Sequence, residues 1–326
     1  MQGVNGKLRA NAQLIDALNG HHIWADSFDV AYQEIFELQD KITRKIVEEL
    51  HAELLHGEQA KLWRSSTTSP EAYEMKLRAR NLIFQYTRAD NAKARKLANE
   101  AIRIDPDYPG AYETLAWTYL IERWFGWTKD QDQALILAAA MARRALDLDG
   151  DYGPAHVLIA TIHLERREFL EAVASAEVAV SINPGAGDLL SNAGWILKYA
   201  GEYQQAVELM QRGVRLDPLA PLPRFDQLAS AYWLTGRFRE MVEISERIVS
   251  RPLTSRRFII THLRLAAVHW RQGKKDEARK YIEKVMKAFP DTTISAMEKT
   301  PVLAWYKDQS VPQGLADIWR DIGVPE

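Results

Sequence analysis

The sequence predicts a mainly α chain in which helix-turn-helix pairs repeat at a fixed period and stack, preceded by a short β-hairpin. Between Gly153 and Pro218 the chain repeats itself at a spacing of 34 residues, with Ala160 returning as Gly194, Phe169 as Tyr203, Ala172 as Ala206 and Pro184 as Pro218. A period of that length marks an array of paired helices. Before residue 29 the apolar residues alternate one by one instead, which marks strands. At 326 residues the chain exceeds the usual size of a single core, a limit that a stack escapes by growing in one dimension.

Residues 7–28 read as two strands. Leu8, Ala10, Ala12 and Leu14 alternate with Arg9, Asn11 and Gln13, Asn19-Gly20 supplies a turn, and His21 to Phe28 returns. From about Tyr32 the period becomes helical, with Ile35, Leu38, Ile42, Ile46, Leu50 and Leu54 on one stripe. The polar stretch Arg64 to Pro70 closes that helix as a linker. The expected division is a hairpin over 1–29, a connecting helix over 30–64, a linker over 65–69, six repeats over 70–290 and a capping segment over 291–326.

Each repeat carries its own physical logic. Ala160 or Gly194 lies midway along a first helix, where only a small side chain lets the second helix interlock closely. Ala172 and Ala206 do the same on the second helix. Gly201 separates the two helices, and Asn183-Pro184 and Asp217-Pro218 end the pair. The first repeat opens with Ala72-Tyr73 and returns with Ala94, Ala98 and Ala101, ending at Asp105-Pro106. The second has Ala116 at the close contact and Ala138, Ala142 and Ala145 on its partner, with Glu122 to Lys129 inserted between them. The fifth places Ala229, Tyr232, Gly236 and Phe238 each 35 residues beyond the fourth, and the sixth has Ala266, His269, Gly273 and Ala278. After Pro290 the period is lost. Pro312 to Ile322, with Leu315, Ile318 and Trp319 on one face, reads as a helix covering the end of the stack.

This order of small residue, aromatic, alanine and closing proline resembles the tetratricopeptide repeat, and the resemblance implies a tetratricopeptide α-solenoid, a right-handed superhelix of helix-turn-helix repeats. The stretches Gly6 to Ala17, Gly20 to Asp26 and Ile35 to Ile42 resemble the tail of the TolB/FlgO-like α/β domain. In bacterial regulators that domain stands between an output module and a tetratricopeptide array. The resemblance implies an output module that is commonly a class III adenylate or guanylate cyclase, and sometimes a winged-helix DNA-binding domain or a kinase. Strands and helices that precede the hairpin in that family have no counterpart here, so the sequence reads as a fragment or a shortened gene product. No cyclase metal-binding or nucleotide-recognition residue carries over.

Composition narrows the chemistry. Lys and Arg number 42 against 44 Asp and Glu, a net charge of −2 that does not suggest nucleic acid or membrane as a partner. Without cysteine there is no disulfide, thiolate metal site or cysteine nucleophile. No apolar run approaches the roughly 18 residues of a membrane span, Met1 to Gly6 lack signal-peptide features, and the expectation is a cytoplasmic chain.

The candidate groove or partner-binding residues are Trp117, Trp195, Lys198, Tyr199, Asp226, Trp233, Trp270 and Arg271. Trp117 and Trp195 follow the small residue directly, whereas Trp233 and Trp270 stand four after it, a spacing that turns several toward the inner face. The same spacing also fits rings that fill space between repeats. From Arg251 to Lys287 there are eleven basic residues against three acidic ones, either an attractor for an acidic segment or a solvated helix face. Trp124-Phe125-Gly126-Trp127 either packs over the first repeats or forms an exposed patch.

No residues are assigned to catalysis, cofactor or metal. His156 and His163, like His262 and His269, stand seven apart rather than about four, and His21-His22 point to opposite faces of a strand. Asp147 to Asp151 resembles a calcium loop but places Leu158 where its glutamate belongs. No phosphate-cradling loop, nucleophile elbow or zinc-protease motif occurs. The sequence thus points to a non-catalytic scaffold that binds a peptide or domain and regulates a linked output domain such as a cyclase. Alternatives are a part named for its parent's cyclase activity, the repeat region of a winged-helix transcription regulator, and an oligomerisation module that pairs copies through the hairpin edge.

Overall fold

The computed structural model describes residues 2–4, 7–15, 22–31, 42, 45, 67, 69–217, 220–299 and 301–326. The Asn19-Gly20 turn, Pro218, the linker other than Thr67 and Ser69, and nearly all of the expected connecting helix lie outside the described residues. The chain forms two compact units, Met1–Ile121 with Asp147–Gly150, and Glu122–Leu146 with Asp151–Glu326.

The first unit holds a three-stranded antiparallel sheet of β1 (Gln2–Val4), β2 (Lys7–Ile15) and β3 (His22–Ala31) in that order. The expected hairpin is β2 with β3, to which three residues that carry no alternation of their own add β1, and β3 continues through Val30 and Ala31. The alternation on β2 is real, since Arg9, Asn11 and Gln13 are exposed while Ala10 and Ala12 are half covered. Arg9 donates twice to Asp29 across the register, at 2.7 and 2.6 Å.

In the same unit α1 (Pro70–Ile83) packs on α2 (Arg88–Ile104) through Ala72, Ala79, Ala94, Ala98 and Ala101, all fully buried. Ser69 and Thr87 cap these helices by accepting from the Ala72 and Asp90 amides at 3.2 and 3.0 Å. Asn91 Nδ2 donates to the Thr118 carbonyl, and Arg95 Nε to the Thr118 hydroxyl, each at 3.0 Å. Thr118 stands on α3 (Pro109–Trp124).

The second unit takes the last residues of α3, most of α4 (Gln131–Leu148), and four complete pairs. These are α5 (Gly153–Glu165) with α6 (Phe169–Ile182), α7 (Gly187–Ala200) with α8 (Tyr203–Leu216), α9 (Leu222–Leu234) with α10 (Phe238–Val249), and α11 (Ile259–Arg271) with α12 (Lys275–Ala288). Each pair packs on the next, and first helices meet first helices: α5 touches α7, α7 touches α9, and α9 touches α11. The small residues have the expected cause. A Cβ on Gly194 would stand 2.7 Å from Met210 Cγ and 2.9 Å from the Ala206 carbonyl.

In every repeat but the second, where Arg123 stays helical, the residue seven places after the small one takes the left-handed conformation. Gly201, Gly236 and Gly273 have φ of 94°, 71° and 77°, as glycine allows, whereas Tyr86 and Arg167 hold 51° and 61° at a cost. Beyond the pairs come α13 (Ile294–Glu298), a single turn α14 (Pro301–Ala304) and α15 (Ser310–Asp321). Leu315 and Trp319 are buried, and α15 packs on α11 and α13.

Candidate functional site

Four of the eight residues singled out in the sequence converge in the second unit. Trp195, Lys198 and Tyr199 project from one face of α7, and Asp226 reaches the same place from α9. The rings they meet come from elsewhere in the chain. Trp305 lies 5.4 Å from Trp195 and 5.5 Å from Tyr199, centroid to centroid, and Tyr306 lies 4.7 Å from Tyr199. Trp124, from the inserted stretch, completes the cluster at 5.8 Å from Trp195 and 5.0 Å from Trp305. These tilted and edge-on contacts are the geometry that aromatic quadrupoles favour.

Polar groups hold the cluster from two sides. Glu165 is the anchor for Trp124, accepting from its indole N–H at 2.7 Å and from Arg123 Nε at 2.9 Å. On the other side Lys198 Nζ donates to Gln227 Oε1 at 2.5 Å and to Ser230 Oγ at 3.4 Å. Arg264 donates to the same Ser230 at 3.1 Å and to Asp226 at 3.4 Å, and Thr261 donates to Asp226 at 2.5 Å. Two buried basic side chains therefore meet at Ser230, and Asp226 pairs with Arg264 and acts on Lys198 through space. The Lys198 ammonium also stands 4.1 Å from the Tyr199 ring centroid and 5.9 Å from that of Tyr306.

Burial, and then the Arg264 charge, push the Lys198 ammonium well below the usual lysine range. Burial first, with the Asp226 charge adding to it, raises the Tyr306 and Tyr199 phenols. The sequence placed Lys198, Tyr199 and Asp226 on an open groove. Instead they are buried beneath Trp305 and Tyr306, because the C-terminal segment folds back onto the first helices.

Trp233, Trp270 and Arg271 form a separate and more open arrangement. Arg271 lies over the Trp233 ring at 5.5 Å, Lys275 over Trp270 at 4.9 Å, and Trp233 packs edge-on against Phe238 at 5.3 Å. Trp117 belongs to the first unit, half buried on α3.

The inserted aromatics split between the two fates considered for them. Trp124 packs, while Phe125 is 41% exposed and stacks on Trp127 at 4.9 Å. The basic run does not act as one patch. Arg264 is buried, Arg256 pairs with Asp291, Lys284 donates to the Val249 carbonyl, and Arg271, Lys274 and Lys275 are exposed. Among the described residues no group of three or more His, Asp or Glu stands close enough to hold a metal. Nor is any of their helices long and apolar enough to cross a membrane.

Sequence reasoning missed Arg167, Glu165, Gln227, Ser230, Trp305 and Tyr306. The one available signal was the Trp305-Tyr306 pair, two large aromatics in a stretch without periodicity.

The tetratricopeptide-repeat family models match residues 189–222 and 261–292. "Putative adenylate cyclase 3" of Rhizobium meliloti (strain 1021) is 34% identical over 157 residues, 47% of this chain and 26% of that protein. Transcriptional regulator HilA of Salmonella typhimurium is 26% identical over 172 residues, 53% of this chain and 31% of that protein. The chain thus spans only 26% and 31% of the length of these curated relatives. Among solved structures, the APC/C hetero-tetramer Cut9-Hcn1 superposes with a TM-score of 0.54 at 15% identity, covering 77% of this chain and 47% of that one, a likeness of fold alone. Repeat spacing, helix pairing and these matches agree that the chain carries tetratricopeptide repeats, at residues 189–222 and 261–292, with homology to a putative adenylate cyclase.

Proposed function

We propose that this chain is the regulatory, non-catalytic part of a bacterial cytoplasmic signalling protein, and that the inner junction of α7, α9 and α11 receives a segment that controls a linked output domain, a nucleotidyl cyclase. Tetratricopeptide repeats serve as protein-interaction scaffolds, which supports the general role. One observation carries the regulatory reading: the chain resembles a limited part of two relatives whose names differ in activity, a putative adenylate cyclase and a transcriptional regulator. A part shared in that way supplies recognition rather than the chemistry of either. The enclosed Trp195 junction, with aromatic anchors over a polar floor, is the kind of surface on which binding energy concentrates.

The test is a chimera in which this chain replaces the matching stretch of "Putative adenylate cyclase 3". Cyclic-nucleotide production is then compared between the parent chimera and one carrying Trp195→Ala. The expected outcome is no product from this chain alone and a changed rate in the Trp195→Ala chimera. Turnover by the chain alone, or identical rates in the two chimeras, would overturn the reading.

A further inference from the structure

The segment that covers the junction is built like a bound peptide. Between α13 and α15 it has a single helical turn, and it meets the array through two adjacent aromatic side chains and two main-chain bonds. The Lys307 amide donates to the Tyr199 carbonyl at 2.9 Å. Arg167 Nη1 donates to the Ala304 carbonyl at 2.6 Å. Aromatic anchors in a pocket, with main-chain bonds fixing register, are the ordinary means of peptide capture.

The array side is shaped for that segment. Arg167 occupies the turn position that three later repeats fill with glycine, and it holds φ of 61° while reaching Ala304. Among the four pairs of this unit Arg167 is the non-glycine residue at that turn, and its side chain reaches the segment. Beneath the segment Lys198 faces the Tyr306 ring, and Ser230 accepts from Lys198 and Arg264. The pocket therefore recognises a ring in the Trp305 place by its aromatic walls and a phenol in the Tyr306 place by its polar floor.

We infer that this junction is a receptor site for an extended peptide with adjacent tryptophan and tyrosine, that residues Leu303–Lys307 fill it in cis, and that a partner segment of the same tandem-aromatic chemistry takes their place. The inference rests on the regulatory reading above and specifies its ligand. A tethered copy acts at an effective concentration on the order of millimolar, so a free peptide competes poorly until the tethered copy is weakened.

The experiment measures fluorescence anisotropy of a labelled synthetic peptide, Lys299–Gln309 of this chain, added to the full-length chain. The chain is used unaltered and as the double variant Trp305→Ala, Tyr306→Ala. The double variant is expected to bind at least about 10-fold more tightly than the unaltered chain, and a peptide with both aromatics replaced by alanine is expected not to bind. Equal affinity of the two chains, or equal binding of the alanine peptide, overturns the inference.

Should the double variant lose its helical circular dichroism, hydrogen exchange on the unaltered chain decides. The Lys307 amide is expected to exchange through local opening, about 100-fold faster than amides in the middle of α7. Exchange of both only through global unfolding makes the segment a fixed part of the core and overturns the proposal. Peptide binding without any Trp195 effect in the cyclase chimera would leave the receptor site standing and remove the regulatory reading alone.

Discussion

Two sets of tryptophans on the same series of first helices, all half-buried, meet different neighbours. Trp195 is walled in by Trp124, Trp305 and Tyr199 over a floor of buried hydrogen bonds. Trp233 and Trp270 lie instead beneath the long side chains of Arg271 and Lys275, both exposed to water. The difference is one of position. Trp195 directly follows the small residue of its repeat, and Trp233 and Trp270 stand four after theirs, three residues and so nearly a full turn nearer the end of the helix. The first position turns a ring into the face where first helices meet, and the second leaves it near the inter-helix turn, within reach of basic residues there. Similar half-buried rings thus meet other rings over buried hydrogen bonds in one region and exposed cations in the other.

The largest expected effect breaks the enclosed region from its floor. Asp226→Ala leaves Arg264 and Lys198 buried without their carboxylate and removes the acceptor of Thr261. Urea unfolding is expected to show a loss of about 3–5 kcal/mol, as for one partner removed from a buried ion pair. A loss below about 1 kcal/mol would show that water already reaches this floor, and the contrast between the two regions would fail.

A second expectation concerns acid. His262, 1% exposed, donates from Nδ1 to the Phe258 carbonyl at 2.9 Å, faces Tyr281 edge-on, and feels Lys284 and Asp226. Burial lowers its protonation range, as it also does for His269, which stacks on Tyr281 at 5.6 Å. The unfolded chain therefore binds protons first as the pH falls below about 6.5, and stability declines from there down to the lowered folded values. The urea midpoint is expected to be lower at pH 5.5 than at pH 7.5, with a smaller difference in His262→Leu. An unchanged difference would place the acid sensitivity elsewhere.

The smallest effects belong to the hydrated edge. Arg271→Ala and Lys275→Ala each remove a cation from an indole face near solvent, and each is expected to cost under about 1 kcal/mol in the same unfolding measurement. A loss comparable to that of Asp226→Ala would erase the distinction.

Much of the array was legible because its rules are local. A Cβ at Gly194 has no room against Met210, and Gly201, Gly236 and Gly273 end their helices with positive φ, so spacing alone marked these places. Trp195, Lys198, Tyr199 and Asp226 could be named for the same reason, as inner positions of first helices. Their state could not. Arg167 looks from the sequence like any surface arginine in a turn, and nothing in the order of residues joins it to Ala304, 137 places away. β1 was missed because three residues carry no readable alternation.

The sequence by itself determined the period, the seams of small residues and the helix-ending turns, since each depends on contacts within a repeat or between neighbours. Only the tertiary structure decided that Trp305 and Tyr306 close over Trp195 and Lys198. The physical reason is that an aperiodic segment has no local preference strong enough to fix its course. Its place is set by the aromatic and polar surface that the folded array presents to it, a surface that exists only once α7, α9 and α11 lie side by side.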